Sequence, residues 1–349
     1  MIRLLLILAL SVTTLVFVTA SSPYLMQKIE KHIGNLAYRY GDLYRLCNLR
    51  RFKINVPKYE PIPAQDTLLN NINLYLYGDS FSKYFIHADF GTQSYVTKRW
   101  NKGTFRVQID TAKYNVLLIE SIERRIKERL AVTDPPVIAS SHVPKANEPL
   151  SDSTKDKKDQ KAIFVFNNEQ SLANLCFEND FTHELILLFR ESKASMQEFL
   201  LKKISTQTPI APDGKYLYCD EEYDPKSPYS SYFPHTDSTI DTLINNLNSW
   251  NKQWKEQGFD TIIFALIPNK CTVRETQRTD YNHLIERIEK HKNNEQMFVS
   301  IYDAFLRVNP HTPLYYQSDT HWNAQGRQIW LRSIREKLID IAQQAHKPK

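Results

Sequence analysis

Short, uninterrupted apolar runs punctuate this chain and alternate with longer stretches of helical period. Asn73-Leu74-Tyr75-Leu76-Tyr77, Asn115-Val116-Leu117-Leu118-Ile119 and Thr261 to Ile267 are each continuous in apolar residues after a polar first residue. A strand covered on both faces needs that pattern, not the alternation of a half-solvated one. Met297 to Tyr302, broken only by Ser300, reads as another strand. Between them lie Ile122 to Leu130, 180–205, Ser238 to Gln257, Asp280 to Lys292 and Gly326 to Gln344, which read as helices. The clearest carries Ile240, Leu243, Leu247, Trp250 and Trp254 on one face and stops at Gly258. Apolar strands alternating with helices predict an α/β protein with a mainly parallel central sheet.

The remaining segments are less regular. Met26 to Leu43 reads as a helix, and Ala162 to Phe166 as a strand or a helix edge. Lys53 to Ala64, with Pro57, Pro61 and Pro63, reads as an extended connector. Residues 134–161 are rich in proline, serine, lysine and aspartate and are expected to be a surface loop or flexible insertion. Pro209 to Tyr232 is loop-like and rich in aromatic residues.

The chain opens differently from its body. Met1-Ile2-Arg3 is short and positive, Leu4 to Val18 is mostly apolar, and Val18-Thr19-Ala20 has the small-residue spacing of a cleavage site. This is the form of an export signal, cleaved after about Ala20 or kept as a membrane anchor. Residues 21–349 are expected to make a single domain with the insertion around 134–161.

Composition narrows the function classes. Hydrophobic residues make up 42% and charged residues 24% of the 349, a globular balance that excludes a disordered chain. The net charge of +6 is spread over scattered groups such as Lys98, Arg99 and Lys102, with no nucleic-acid-binding motif beside them. The four cysteines, Cys47, Cys176, Cys219 and Cys271, form no CxxC pair. With no HExxH and no aspartate-rich calcium loop, neither a metal nor a cofactor is implied.

Two short motifs carry chemistry. Gly78-Asp79-Ser80 follows the first apolar run directly. A serine on a strand-to-helix turn stands at the carboxyl edge of a parallel sheet, where its backbone N–H faces an incoming oxyanion. Ser318-Asp319-Thr320-His321-Trp322-Asn323 precedes the last helix. The one-residue spacing lets the Asp319 carboxylate fix Nδ1 of His321 and leaves Nε2 to take the serine proton. Ser80, His321 and Asp319 are therefore the candidate triad. Asn269 is a candidate second oxyanion donor or a turn residue after a strand. Trp322 is placed either to stack on a sugar ring or to pack beneath the triad. Arg124 and Lys270 are candidates for binding substrate or for structural roles.

GDSFS after a strand, together with DTHWN-x-x-G before a C-terminal helix, resembles the SGNH hydrolase superfamily. More closely, these blocks are similar to the alginate O-acetylation proteins and their DHHW-motif relatives. The segment from Val116 to Arg124 resembles that family's strand-then-ER block, and Ile267-Pro268-Asn269-Lys270 its P-x-K turn. Here the serine block precedes the DxHW block, the reverse of the alginate proteins; a circular permutation of one sheet relates the two orders. The resemblance touches about residues 65–130 and 245–345. It implies a three-layer SGNH-like sandwich and an O-acetyltransferase that modifies an exported bacterial polysaccharide through an acetyl-serine. It further implies a membrane O-acyltransferase as acetyl supplier and a place in the periplasm or on the outer face of the cytoplasmic membrane. An esterase with the same triad and a non-catalytic glycan-binding envelope protein are the alternatives.

Overall fold

The computed structural model describes residues 2–22, 24–25, 39–57, 69–140, 180–201, 208–309 and 311–345. The helix expected over Met26–Leu43 falls mostly, and the segment Ala162–Phe166 wholly, outside them, as do Cys176 and most of the expected insertion. The chain divides into two compact units, one of residues 1–56 with 144–208 and one of residues 57–143 with 209–349.

The second unit is an α/β sandwich. Its strands are β1 (Leu69–Gly78), β2 (Thr92–Arg99), β3 (Phe105–Gln108), β4 (Tyr114–Ile122), β5 (Val137–Ser140), β6 (Thr261–Ile267) and β7 (Met297–Phe298). Its principal helices are α2 (Glu123–Leu130), α4 (Asp237–Glu256), α5 (Lys270–Arg274), α6 (Leu284–Glu289), α7 (Ile301–Leu306) and α8 (Ala324–Ala345). Five strands form one all-parallel sheet in the order β2-β1-β4-β6-β7.

Alternation along the strands sends side chains to two cores. Leu74, Leu76, Val116, Leu118, Ile263 and Ala265 face one side with Trp330, Ile334 and Leu338 of α8. Tyr75, Tyr77, Leu117, Ile119, Ile262 and Phe264 face the other with Leu243, Leu247, Trp250 and Trp254 of α4. The continuous apolar runs are thus explained: each strand must satisfy both layers. The indole N–H groups of Trp250 and Trp254 are satisfied by the carbonyls of Thr133 and Val137, both at 2.9 Å. Burying two such large side chains contributes on the order of 3–5 kcal/mol each.

Four local expectations are revised. The helix expected over Asp280 to Lys292 is confined to Leu284–Glu289, because His283 is left-handed and Asn282 Oδ1 accepts the Leu284 N–H at 3.0 Å. Met297 to Tyr302 does not continue as a strand: only Met297–Phe298 pairs with β6, because Ser300 caps α7 and turns the chain into a helix. The break expected from residue 134 contains a strand, since Val137–Ser140 pairs in parallel with Phe105–Gln108. After Ser80 the chain makes a single 3-10 turn, Ser80–Ser82, and no full helix.

In the first unit, α1 (Ile2–Ser21) packs along α3 (Asp180–Leu201). Tyr44 donates to Glu191 at 2.5 Å, Lys53 pairs with Glu184 at 2.6 Å, and Arg51 grips both oxygens of Glu198 at 2.9 and 2.7 Å. On α1, Leu4, Leu5, Leu6, Ile7, Leu8, Leu10 and Leu15 are exposed. Among the described residues no helix is long and apolar enough to cross a membrane.

Candidate active site

The sheet order reverses at β1, with β2 and β4 on its two sides, so the carboxyl ends of β1 and β4 form the switch point at which parallel sheets of this kind place their sites. Ser80 stands there, two residues beyond the end of β1. The Asp79 carboxylate caps the turn by accepting the Phe81 N–H at 2.9 Å. Gly78 is required by space: a Cβ on it would lie 2.4 Å from Glu120 Oε2 and 2.4 Å from Ser82 Oγ.

The second block arrives on a loop at the start of α8. A bridge between Tyr315 and Trp322 pinches the loop, and Tyr316 N–H donates to the His321 carbonyl at 3.2 Å. Asn323 Oδ1 takes the Gly326 N–H at 3.1 Å and so starts α8, while its Nδ2 donates to the Pro313 carbonyl at 2.7 Å. Gly326 presses on the Leu314 carbonyl; a Cβ there would lie 2.4 Å from that oxygen. The asparagine and glycine of DTHWN-x-x-G thus shape the loop that carries Asp319 and His321.

The two blocks meet in one hydrogen-bonded relay. His321 Nε2 lies 2.8 Å from Ser80 Oγ. His321 Nδ1 lies 2.6 Å from Asp319 Oδ1, and the same oxygen accepts the His321 N–H at 2.8 Å. The Asp319 side chain is 9% exposed and that of His321 32%, so the carboxylate is sheltered while the imidazole is partly open. With Nδ1 turned to the carboxylate, Nε2 faces a serine hydroxyl, the arrangement in which an imidazole acts as general base toward an alcohol.

The remaining sequence candidates take supporting positions. Lys270 is fully buried and donates from Nζ to the carbonyls of Asp319 at 2.8 Å and Tyr316 at 3.1 Å. Asn269 is fully buried, with Oδ1 accepting the Arg124 N–H at 3.3 Å and Nδ2 donating to Ser231 Oγ at 2.9 Å. Arg124 pairs with the buried Glu222, and its guanidinium lies 5.9 Å from the ring centre of Phe81. Phe81 in turn sits 4.8 Å from the His321 ring. Trp322 is 5% exposed and packs edge-on to Phe81 at 5.1 Å and against Trp330 at 5.8 Å, beneath the histidine. Packing, not an open sugar platform, is what its surroundings provide.

Sequence reading passed over several groups. Glu123, at the start of α2, accepts the Asn269 N–H at 2.8 Å and the Thr272 hydroxyl at 2.7 Å. Burial raises its carboxyl to about 7, against the lowering effect of those donors. Behind the turn the buried Glu120 accepts the Asp79 N–H, and the half-buried Arg129 donates to the Asp79 carboxylate. Asp79 was visible only as the middle of the Gly78-Asp79-Ser80 motif and Arg129 only as one charge among several in its helix, while the signal of Glu120 is polarity inside an otherwise apolar run, Ile119-Glu120-Ser121-Ile122. Cys47, Cys219 and Cys271 are free thiols.

No protein-family model matches the chain, and no similar protein is found among curated proteins or solved structures.

Proposed function

We propose that this protein is a serine-dependent acyltransferase of SGNH type that moves an acetyl group onto an exported bacterial polysaccharide. The observation that carries the chemistry is the relay from Asp319 through His321 to Ser80, with Nε2 2.8 Å from Oγ. In this reading Ser80 Oγ attacks the acetyl carbonyl carbon while its proton passes to Nε2. The tetrahedral oxyanion is held by the backbone N–H of Ser80. The intermediate collapses, the leaving group takes the proton from His321, and acetyl-Ser80 remains. A sugar hydroxyl then gives its proton to Nε2 and attacks the acetyl carbon. Collapse returns the proton to Ser80 Oγ and releases the acetylated glycan. Asp319 stabilises the imidazolium in both halves.

The transferase outcome rests on the resemblance to the alginate O-acetylation proteins, as do the polysaccharide acceptor and a membrane O-acyltransferase as acetyl supplier. Export rests on the positive start, the apolar α1 with its exposed leucines, and the small residues at its end. In this reading the protein works in the periplasm or on the outer face of the cytoplasmic membrane.

The test uses full-length protein and its Ser80→Ala variant with a chromogenic acetyl ester, with and without glycan. Transfer of acetyl to the glycan, absent in the variant, is the expected result. Acetate release unaffected by glycan makes it an esterase of the same triad. Failure of a fluorophosphonate to label Ser80 rejects the enzyme and leaves a glycan-binding protein.

A further inference from the structure

Behind the Ser80 turn, two carboxyl groups are buried beside one guanidinium. Asp79 belongs to the turn itself, and Glu120 to the neighbouring strand β4; both are almost completely shielded from solvent. Glu120 Oε2 accepts the Asp79 N–H at 3.0 Å, which ties the peptide just before Ser80 to β4. Asp79 is an acceptor on both oxygens. Oδ1 takes the Phe81 N–H at 2.9 Å, and Oδ2 takes the Ile122 N–H at 3.0 Å and Arg129 Nη1 at 3.1 Å. Those donors suit a charged carboxylate, and one guanidinium balances one negative charge. The second oxygen of Glu120, Oε1, is buried and has no hydrogen-bond partner. A second negative charge with an unserved oxygen in this interior would be strongly unfavourable.

We infer that Asp79 and Glu120 hold one proton between them, that it resides on Glu120, and that this uncharged acid positions the Ser80 turn. The inference rests on the reading of Ser80 as nucleophile. The surroundings agree on the direction. Burial first, and then the charge of Asp79, push the Glu120 carboxyl well above the usual range. Burial also pushes Asp79 upward, but Arg129, Glu120, the Phe81 N–H and Arg124 together hold it below that range. The groups facing Glu120 are Asp79 and Ser82 from the turn after β1 and Tyr95 from β2; β6 sets the apolar Ala265 beside it. The cations of α2, Arg129 and Arg124, act on Asp79. The bare Cα of Gly78 lets the acid approach this closely.

The test compares full-length wild type with Glu120→Gln, Glu120→Ala, Asp79→Asn and Ser80→Ala. Two quantities are followed: the rate at which a fluorophosphonate acylates Ser80, and the thermal midpoint from about pH 5 to about pH 8. Glutamine keeps a carbonyl acceptor and neutrality, so Glu120→Gln is expected to acylate at least roughly tenfold faster than Glu120→Ala, because small displacements of a nucleophile cost about that much or more. Asp79→Asn, which loses the charge that Arg129 faces, is expected to be as slow as Glu120→Ala. Wild type keeps a proton that the unfolded chain releases, so its stability falls with rising pH. The midpoint of Glu120→Gln minus that of wild type should therefore widen toward pH 8. Equal rates for Glu120→Gln and Glu120→Ala overturn the positioning role, and a midpoint difference that does not change with pH overturns the uncharged acid. If Ser80→Ala labels as fast as wild type, the nucleophile reading fails, while the midpoints still decide the charge state.

Discussion

The ammonium group of Lys270 donates to the backbone carbonyl of Asp319 at 2.8 Å, with both residues shielded from solvent. The same Nζ reaches the Tyr316 carbonyl at 3.1 Å. One side chain at the start of α5, just after β6, therefore braces the loop that presents Asp319 and His321 to a serine in the turn after β1. A buried cation is costly unless it is well bonded, so its place here marks the loop as the element whose position matters.

Replacing Lys270 by methionine keeps most of the volume and removes the donors. Two buried carbonyls lose a donor, which costs about 1–3 kcal/mol each. A shifted loop is expected to lower kcat for acetyl-ester cleavage about a hundredfold with little change in KM. Steady-state kinetics beside urea unfolding checks both, and a wild-type kcat in the methionine variant would count against the brace.

The triad acts as a unit, so its substitutions should not add. Asp319→Asn is expected to lower kcat about 10⁴-fold by disturbing the tautomer of His321. Ser80→Ala combined with His321→Ala should be no slower than the worse single variant. Single-turnover rates of the single and double variants measure this directly, and multiplicative losses would show independent roles.

Gly326→Ala tests the packing of the acid-base loop. The new Cβ would meet the Leu314 carbonyl oxygen at 2.4 Å and Trp322 Cβ at 2.9 Å. Backbone cannot step aside as a flexible side-chain end can, so a loss of about 1–3 kcal/mol is expected. Denaturant unfolding reads the stability. Activity should fall with it, since Trp322 adjoins His321.

Glu123 gives the protein a pH-dependent stability of known sign. Burial raises its carboxyl to about 7 in the folded protein, above the value near 4.3 of an exposed glutamate. The folded state thus binds the extra proton. The stability this contributes is fully present below about pH 4.3 and is lost as pH rises through about 7, at up to about 1.4 kcal/mol per pH unit. Glu123→Gln should remove that slope, as urea midpoints at intervals between about pH 5 and about pH 8 will show. An unchanged slope would mean that Glu123 is ionised throughout.

Burial on both faces made β1, β4 and β6 legible, because a central parallel strand is covered on both sides and so is apolar along most of its length. Edge position hid β2: Thr92–Arg99 has a neighbour on one side only and keeps Gln93, Val96 and Thr97 exposed, so it carries no apolar run. Helix α4 was legible from its period, and its observed bounds differ from the expected ones by one residue at each end. The Met297 to Tyr302 run misled because apolarity alone does not separate a strand from a helix start; the Ser300 cap decided it.

The chain by itself determined which residues have the chemistry of a triad, since a serine after a strand and an aspartate one residue from a histidine are local patterns. It determined the α/β class for the same reason, through strand and helix periods. Only the tertiary structure decided that His321 and Ser80, 241 residues apart, come within 2.8 Å. It alone set Lys270 behind Asp319 and Glu120 behind Asp79. Those pairings depend on strand order and loop path. Each residue's own neighbours in sequence carry no trace of the partner that it meets across the sheet.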